Sequence, residues 1–139
     1  MNSILTGLVA APHTAFRPDG DLDLAAIPAQ AALLAHNGVT GAFICGTTGE
    51  GYSMTLDERR QVAAAWRETL SPKVRLVVHA GHLCLADSRA LASHAQEIGA
   101  DAIATVAPGF FKPPGTAELV AWCREVAAAA PNLPFYYYH

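Results

Sequence analysis

Residues 46–51 read Gly46-Thr47-Thr48-Gly49-Glu50-Gly51 and follow directly on the apolar run Gly41–Cys45. Two adjacent hydroxyls set among glycines make a loop that can turn its backbone N–H groups and both side chains toward one anion. Such a donor-rich turn suits a carboxylate or a phosphate. The stretch does not carry the GxGxxG spacing of a dinucleotide site, and the lysine of a phosphate-binding Walker loop is absent, so a nucleotide is the weaker reading. Glu50 in the same loop can serve as a general base or can cap neighbouring backbone N–H groups, and the cap is the favoured role so close to a helix start.

A second group of reactive side chains lies in Pro134–His139, which reads PFYYYH. Strand alternation puts Tyr136 and Tyr138 on one face and Tyr137 on the other, where it meets helices. Strand propensity alone accounts for three tyrosines in a row. His79 and His82 stand three apart with no third ligand nearby, so no metal is expected. His13, His36 and His94 belong to no motif and are expected at the surface or in loops. The only lysines are Lys73 and Lys112.

The elements that must position these groups alternate in kind. Five short apolar runs begin at Gly7, Gly41, Val74, Asp101 and Pro134. None shows the apolar/polar alternation of a half-exposed strand, so parallel strands covered on both faces are expected. Between them lie four helical patterns. The first starts near Ile27, because Pro28 is tolerated only in a first turn. The second opens on a Thr55/Glu58 capping box and buries Val62, Trp66 and Leu70, a face given to packing rather than chemistry. The third has Asp87 as N-cap, Leu91, Ala95 and Ile98 inward, and Gly99 at its C-terminal end. The fourth runs from Thr116 to Pro131. The similarity of HNGVTGAFICG and EIGADAIATVAPG, each with a helix-ending glycine at Gly38 or Gly99, fits a repeated βα unit. Five strands and four helices suit either an open doubly wound sheet or part of a (βα)8 barrel.

A hydrophobic fraction of 52% with 15% charged residues describes a well-buried globular chain. A net charge of −3 with scattered basic residues excludes an electrostatic footprint for nucleic acid. The first twelve residues lack a basic leader and no run reaches the length of a membrane span, so neither secretion nor membrane insertion is expected and the chain reads as cytoplasmic. Cys45, Cys84 and Cys123 are too far apart for a zinc or disulfide motif and read as three buried thiols.

GTTGEG followed by ERRQVAAAW resembles the family of pyruvate-dependent class I aldolases that contains dihydrodipicolinate synthase and N-acetylneuraminate lyase. GLVAAPHTAF is similar to that family's first strand, EIGADAIATVAPGFFKP to its fourth strand and loop, and PFYYYH to its fifth strand. The match is collinear over essentially the whole chain. VAPGFFKP and AAAAPNLPFYYYH look most like the N-acetylneuraminate lyase branch, particularly of the animal type. A synthase reading is weaker, because Phe110 and Phe111 stand where synthases place a tyrosine pair.

The resemblance implies an α/β fold of the (βα)8 TIM-barrel type. Residues 1–139 would be the N-terminal part of a single barrel domain, about its first four and a half βα units. It implies that Thr47 and Thr48 hold the carboxylate of pyruvate or of the ketoacid part of sialic acid, and that Tyr138, tuned by Thr47, is the catalytic proton relay. No metal or cofactor is implied. The imine-forming lysine matches neither Lys73 nor Lys112 and would lie on a sixth strand beyond residue 139, leaving this chain inactive alone. A five-stranded piece would expose two strand edges, which favours a homo-oligomer. Two other readings stay open at this point: a noncatalytic half-barrel that binds small carboxylates, and an open α/β anion-binding domain.

Overall fold

The computed structural model describes residues 5–139; the first four residues of the leader reading lie outside the described residues. Five strands form one sheet: β1 (Val9–Ala10), β2 (Gly41–Ile44), β3 (Arg75–His79), β4 (Ala102–Thr105) and β5 (Phe135–Tyr137). Four helices connect them: α1 (Ile27–His36), α2 (Leu56–Thr69), α3 (Leu85–Glu97) and α4 (Thr116–Ala128). Every neighbouring pair is parallel and the spatial order is the chain order, β1-β2-β3-β4-β5. A doubly wound sheet reverses its strand order at a switch point, whereas consecutive winding is the order of a TIM barrel. The open α/β reading is therefore wrong for this chain.

The two faces of the sheet bury different sets of side chains. Ala42, Ile44, Leu76, Val78 and Ile103 face the helices and join Val62, Trp66, Leu70, Leu91, Ala95 and Val126 in the main core. Val77, Ala102 and Ala104 face the concave side, where Leu5, Phe43 and Tyr136 cover them. Burial on both faces explains why these runs show no alternation. It holds for β2, β3 and β4, whose residues are almost all buried, but not for the edge strands β1 and β5.

Helix α1 begins at Ile27 with Pro28 in its first turn, as its sequence requires. In α2 the Thr55 hydroxyl accepts from the Glu58 N–H at 3.2 Å and the Glu58 carboxylate accepts from the Thr55 N–H at 2.7 Å, a complete capping box. The Thr55 N–H, and then the Thr55 hydroxyl at 2.8 Å, both lying against the carboxylate, hold the Glu58 carboxyl below the usual carboxylate range. Gly38 and Gly99 both follow a helix with positive φ, +70° and +74°, which makes the two βα units alike at that point.

Two helix ends differ from expectation. The N-cap of α3 is Cys84, and Asp87 lies inside the first turn. Among the described residues no side chain caps the first turn of α3; the His82 ring instead accepts the N–H of Cys84 itself at 3.1 Å and fixes the chain just before the helix. Helix α4 ends at Ala128 rather than Pro131, since the residue before a proline is driven out of helical geometry and Ala129–Leu133 turn instead. The three thiols also differ from one another: Cys45 is buried, Cys123 half-buried and Cys84 exposed.

At the N-terminal edge of the sheet Asp101 accepts from Arg67 at 3.1 Å, Arg75 at 2.7 Å and the Leu76 N–H at 2.8 Å, tying α2, β3 and β4 together. Trp66, 1% exposed, is the largest fully buried side chain of the main core. Trp66→Ala is expected to lower the unfolding free energy by about 3–5 kcal/mol in urea denaturation. A loss below about 1 kcal/mol would show that α2 does not pack as described.

Candidate active site

The loop after β2 is built on close backbone approach. Cys45 takes a left-handed conformation, φ 57°, so the chain turns sharply out of the strand. Residues 49–51 then fold back over it: the Gly51 N–H donates to the Gly46 carbonyl at 3.1 Å and the Glu50 N–H to the Thr47 carbonyl at 3.1 Å. A Cβ at Gly51 would fall on the Cys45 carbonyl oxygen, so no other residue fits there. From the loop after β1, the Thr14 hydroxyl donates to the Gly49 carbonyl at 2.7 Å and pins the turn.

This construction leaves Thr47 and Thr48 exposed on the outside of the turn. Among the described residues neither of their backbone N–H groups is taken by a hydrogen bond. Glu50 takes no part through its side chain: it adopts left-handed geometry, φ 54°, and makes no side-chain cap bond. The capping role expected for it is not seen, because the Gly51 backbone bond already closes the turn.

Tyr138 follows β5 and continues its pairing, with its N–H donating to the Thr105 carbonyl at 3.1 Å. Its hydroxyl lies 3.4 Å from the Thr47 hydroxyl. In a flat sheet β2 and β5 would stand about 14 Å apart, three strand spacings, so the contact requires the sheet to curl. Thr47, Thr48 and Tyr138 line one cavity of about 340 Å³ with Val9, Ala11 and Phe43. Tyr136 shares the face of Tyr138 and accepts the Leu5 N–H at 3.3 Å. Tyr137 points the other way, beside Thr116 and Leu119.

Beneath Tyr138 lies a buried cluster not apparent from residue type. His79 is fully buried, and its ring stands edge-on to Tyr138 with centroids 5.7 Å apart. Phe43 meets Tyr138 at 5.3 Å and 88°. The His79 Nδ1 lies 3.0 Å from the Cys45 carbonyl, which can only accept, and 3.4 Å from Arg59 Nη2, which can only donate; the shorter contact assigns the proton to Nδ1. Burial, and then the nearby Arg59 charge, push the His79 pKa down to about 3, so the ring is neutral. Among the described residues its Nε2 is buried without a partner. Burial likewise raises the Cys45 thiol to about 11, which makes it inert.

Arg59 supplies the charge. It is 1% exposed and donates to the Gly81 carbonyl at 2.9 Å and to the His79 carbonyl. Arg59 falls in the helical phase of Val62, Ala63 and Trp66, and that spacing was the available sign of a buried arginine. Helix α2 is thus not given to packing alone. The lysines lie elsewhere. Lys73 is exposed before β3, and Lys112 is exposed beside a cavity that shares no lining residue with the Thr47 cavity. Among the described residues no group of three His, Cys, Asp or Glu is placed to hold a metal.

The model of the dihydrodipicolinate synthetase family matches residues 4–139. The chain belongs to the dihydrodipicolinate synthetase family. It is 48% identical to N-acetylneuraminate lyase of Rattus norvegicus over 97% of this chain and 43% of that protein. Among solved structures it is similar to Proteus mirabilis N-acetylneuraminate lyase, with a TM-score of 0.94 and 44% identity over 97% of this chain and 46% of the other. It is also similar to YagE of E. coli K12, a family member solved in complex with pyruvate, with a TM-score of 0.92 and 28% identity over 99% and 45% of the two chains. The chain therefore spans less than half the length of these relatives. Its sheet is the consecutively wound parallel sheet of this TIM-barrel family.

The neutral, buried His79 has a consequence for stability. With its folded pKa near 3 and its unfolded value near 6.5, the unfolded chain binds the extra proton between those limits. Stability is expected to fall as pH drops from about 6.5 toward 3, by up to one proton in slope. In urea denaturation from pH 7 to 4, His79→Asn is expected to flatten that dependence by about one proton. Equal slopes in both proteins would contradict a neutral His79.

Proposed function

We propose that the protein carrying this chain is a class I aldolase that forms an imine with a 2-keto acid and cleaves N-acetylneuraminate to N-acetylmannosamine and pyruvate. The observation that carries this reading is the cavity lined by Thr47, Thr48 and Tyr138 at the C-terminal ends of the strands, with the Thr47 and Tyr138 hydroxyls 3.4 Å apart. In barrels of this type that edge is where active sites form. Thr47 and Thr48 hold the substrate carboxylate, whose two oxygens match donors at adjacent positions. Tyr138, beside Thr47, delivers and recovers a proton at the substrate oxygen. The similarity to N-acetylneuraminate lyases at 44–48% identity supports this substrate over others of the family.

The nucleophile of such a reaction is a deprotonated lysine, which neither the threonines nor the tyrosine can replace. We place it outside the 139 residues, which form the N-terminal part of one barrel domain. The working protein is a cytoplasmic homo-oligomer in this reading. Among the described residues no helix is long and apolar enough to cross a membrane.

Incubation with pyruvate and borohydride, followed by mass spectrometry, tests the assignment. The 139-residue polypeptide is expected to give no adduct, and the longer protein one adduct on a lysine outside these residues. Stoichiometric labelling of Lys112 would overturn it. In the longer protein Tyr138→Phe is expected to lower kcat by about 10²–10⁴-fold while the trapped adduct persists. An unchanged kcat would remove Tyr138 from the chemistry.

A further inference from the structure

Arg59 is a buried cation, and no described carboxylate pairs with it. Its neighbour Arg60, on the same helix, is half-exposed and meets Asp57 at 3.3 Å in the ordinary way. Burying an unpaired charge is costly unless fixed dipoles answer it. Here the answer is two carbonyls at the C-terminal end of β3, those of His79 and Gly81. The guanidinium Nε is itself buried without a partner among the described residues, so even this arrangement leaves one donor unanswered. Packing at this position would be served better by an apolar residue, and the guanidinium calls for a further reason.

The reason lies in what the two carbonyls fix. Clamping them sets the backbone on both sides of Ala80 and so the direction of the His79 ring. That ring donates to the Cys45 carbonyl at 3.0 Å, which locks the end of β2 to the end of β3. It also meets Phe43 at 6.1 Å, Tyr52 at 5.8 Å and Tyr138 at 5.7 Å between centroids. Space around it is closed, since a Cβ on Gly81 would come within 2.6 Å of His79 Nε2 and 2.8 Å of the Thr105 hydroxyl. Tyr138 therefore stands on a platform of His79 and Phe43 whose orientation is held from below by α2.

We propose that Arg59 is a positioning residue: by clamping the carbonyls of His79 and Gly81 it fixes the His79 ring, which with Phe43 sets Tyr138 and keeps its hydroxyl at Thr47. Its planar fork suits two carbonyls at once, which a lysine cannot match. The inference rests on the aldolase reading for its kinetic test, and displacement of a reacting group by about 1 Å costs on the order of 10²-fold in rate.

The test is a double-mutant cycle in the longer protein. Arg59→Met is expected to lower kcat about 10²-fold with pyruvate adduct formation retained, yet to cost less than about twofold in a Tyr138→Phe background, because the group it positions is gone. Arg60→Met, the control on the same helix, is expected to leave kcat unchanged. The same loss for Arg59→Met in both backgrounds, or no loss in either, would overturn the proposal. Should Arg59→Met not fold, Arg59→Lys replaces it, with an expected loss of about tenfold that also vanishes with Tyr138→Phe; a loss that persists there overturns it equally. If the wild-type protein shows no aldolase activity, the functional reading fails, and NMR decides this inference separately. The His79 Nδ1–H and Tyr138 ring signals are then expected to shift in the folded Arg59 variant, and unchanged signals would overturn it.

Discussion

Because each strand pairs in parallel with the one before it, all five strand ends fall on one edge, and every group placed just past a strand is delivered to the same side. That constraint brings residues 47 and 138, far apart in the chain, to within 3.4 Å. It also fixes the burial pattern, since parallel strands joined by helices are covered on one face by those helices and on the other by the curl of the sheet. The concave face accordingly carries small side chains, Ala102 and Ala104, under Phe43 and Tyr136.

The strand ends are held by unlike devices. After β2 a left-handed Cys45 and a fold-back over it shape the threonine loop, at a point where only glycine fits. After β3 a buried guanidinium takes the carbonyls. After β5 the backbone bond from Tyr138 to Thr105 extends the ladder by one residue. The His79 ring joins the three, neutral because burial and the adjacent cation both oppose its proton. A site built this way is supported mostly by backbone groups.

Much of this was legible in the residues. The GTTGEG loop, the Thr55–Glu58 box, the start of α1 at Ile27 and the Val62/Trp66/Leu70 stripe follow from local chemistry that tertiary contacts do not override. The choice between open sheet and barrel was not legible from pattern, because both use the same βα units and differ only in strand order. Asp87 is a better intrinsic cap than Cys84, but the helix already begins at Leu85 and leaves Asp87 inside its first turn. Glu50 was misjudged because the strain of a left-handed turn is invisible in residue type. The roles of Arg59 and His79 were not legible for a common reason: His79 is weighed only as half of a histidine pair and Arg59 not at all, and a polar residue shows as buried only when its helical phase or strand neighbours are followed inward.

The central claim is that Thr47, Thr48 and Tyr138 form one substrate site at this edge. A crystal structure of the longer protein soaked with pyruvate tests it most directly. The carboxylate is expected within hydrogen-bond distance of the Thr47 and Thr48 hydroxyls and N–H groups, with the Tyr138 hydroxyl facing the bound ketoacid. Pyruvate bound beside Lys112, with the threonine loop empty, would contradict it.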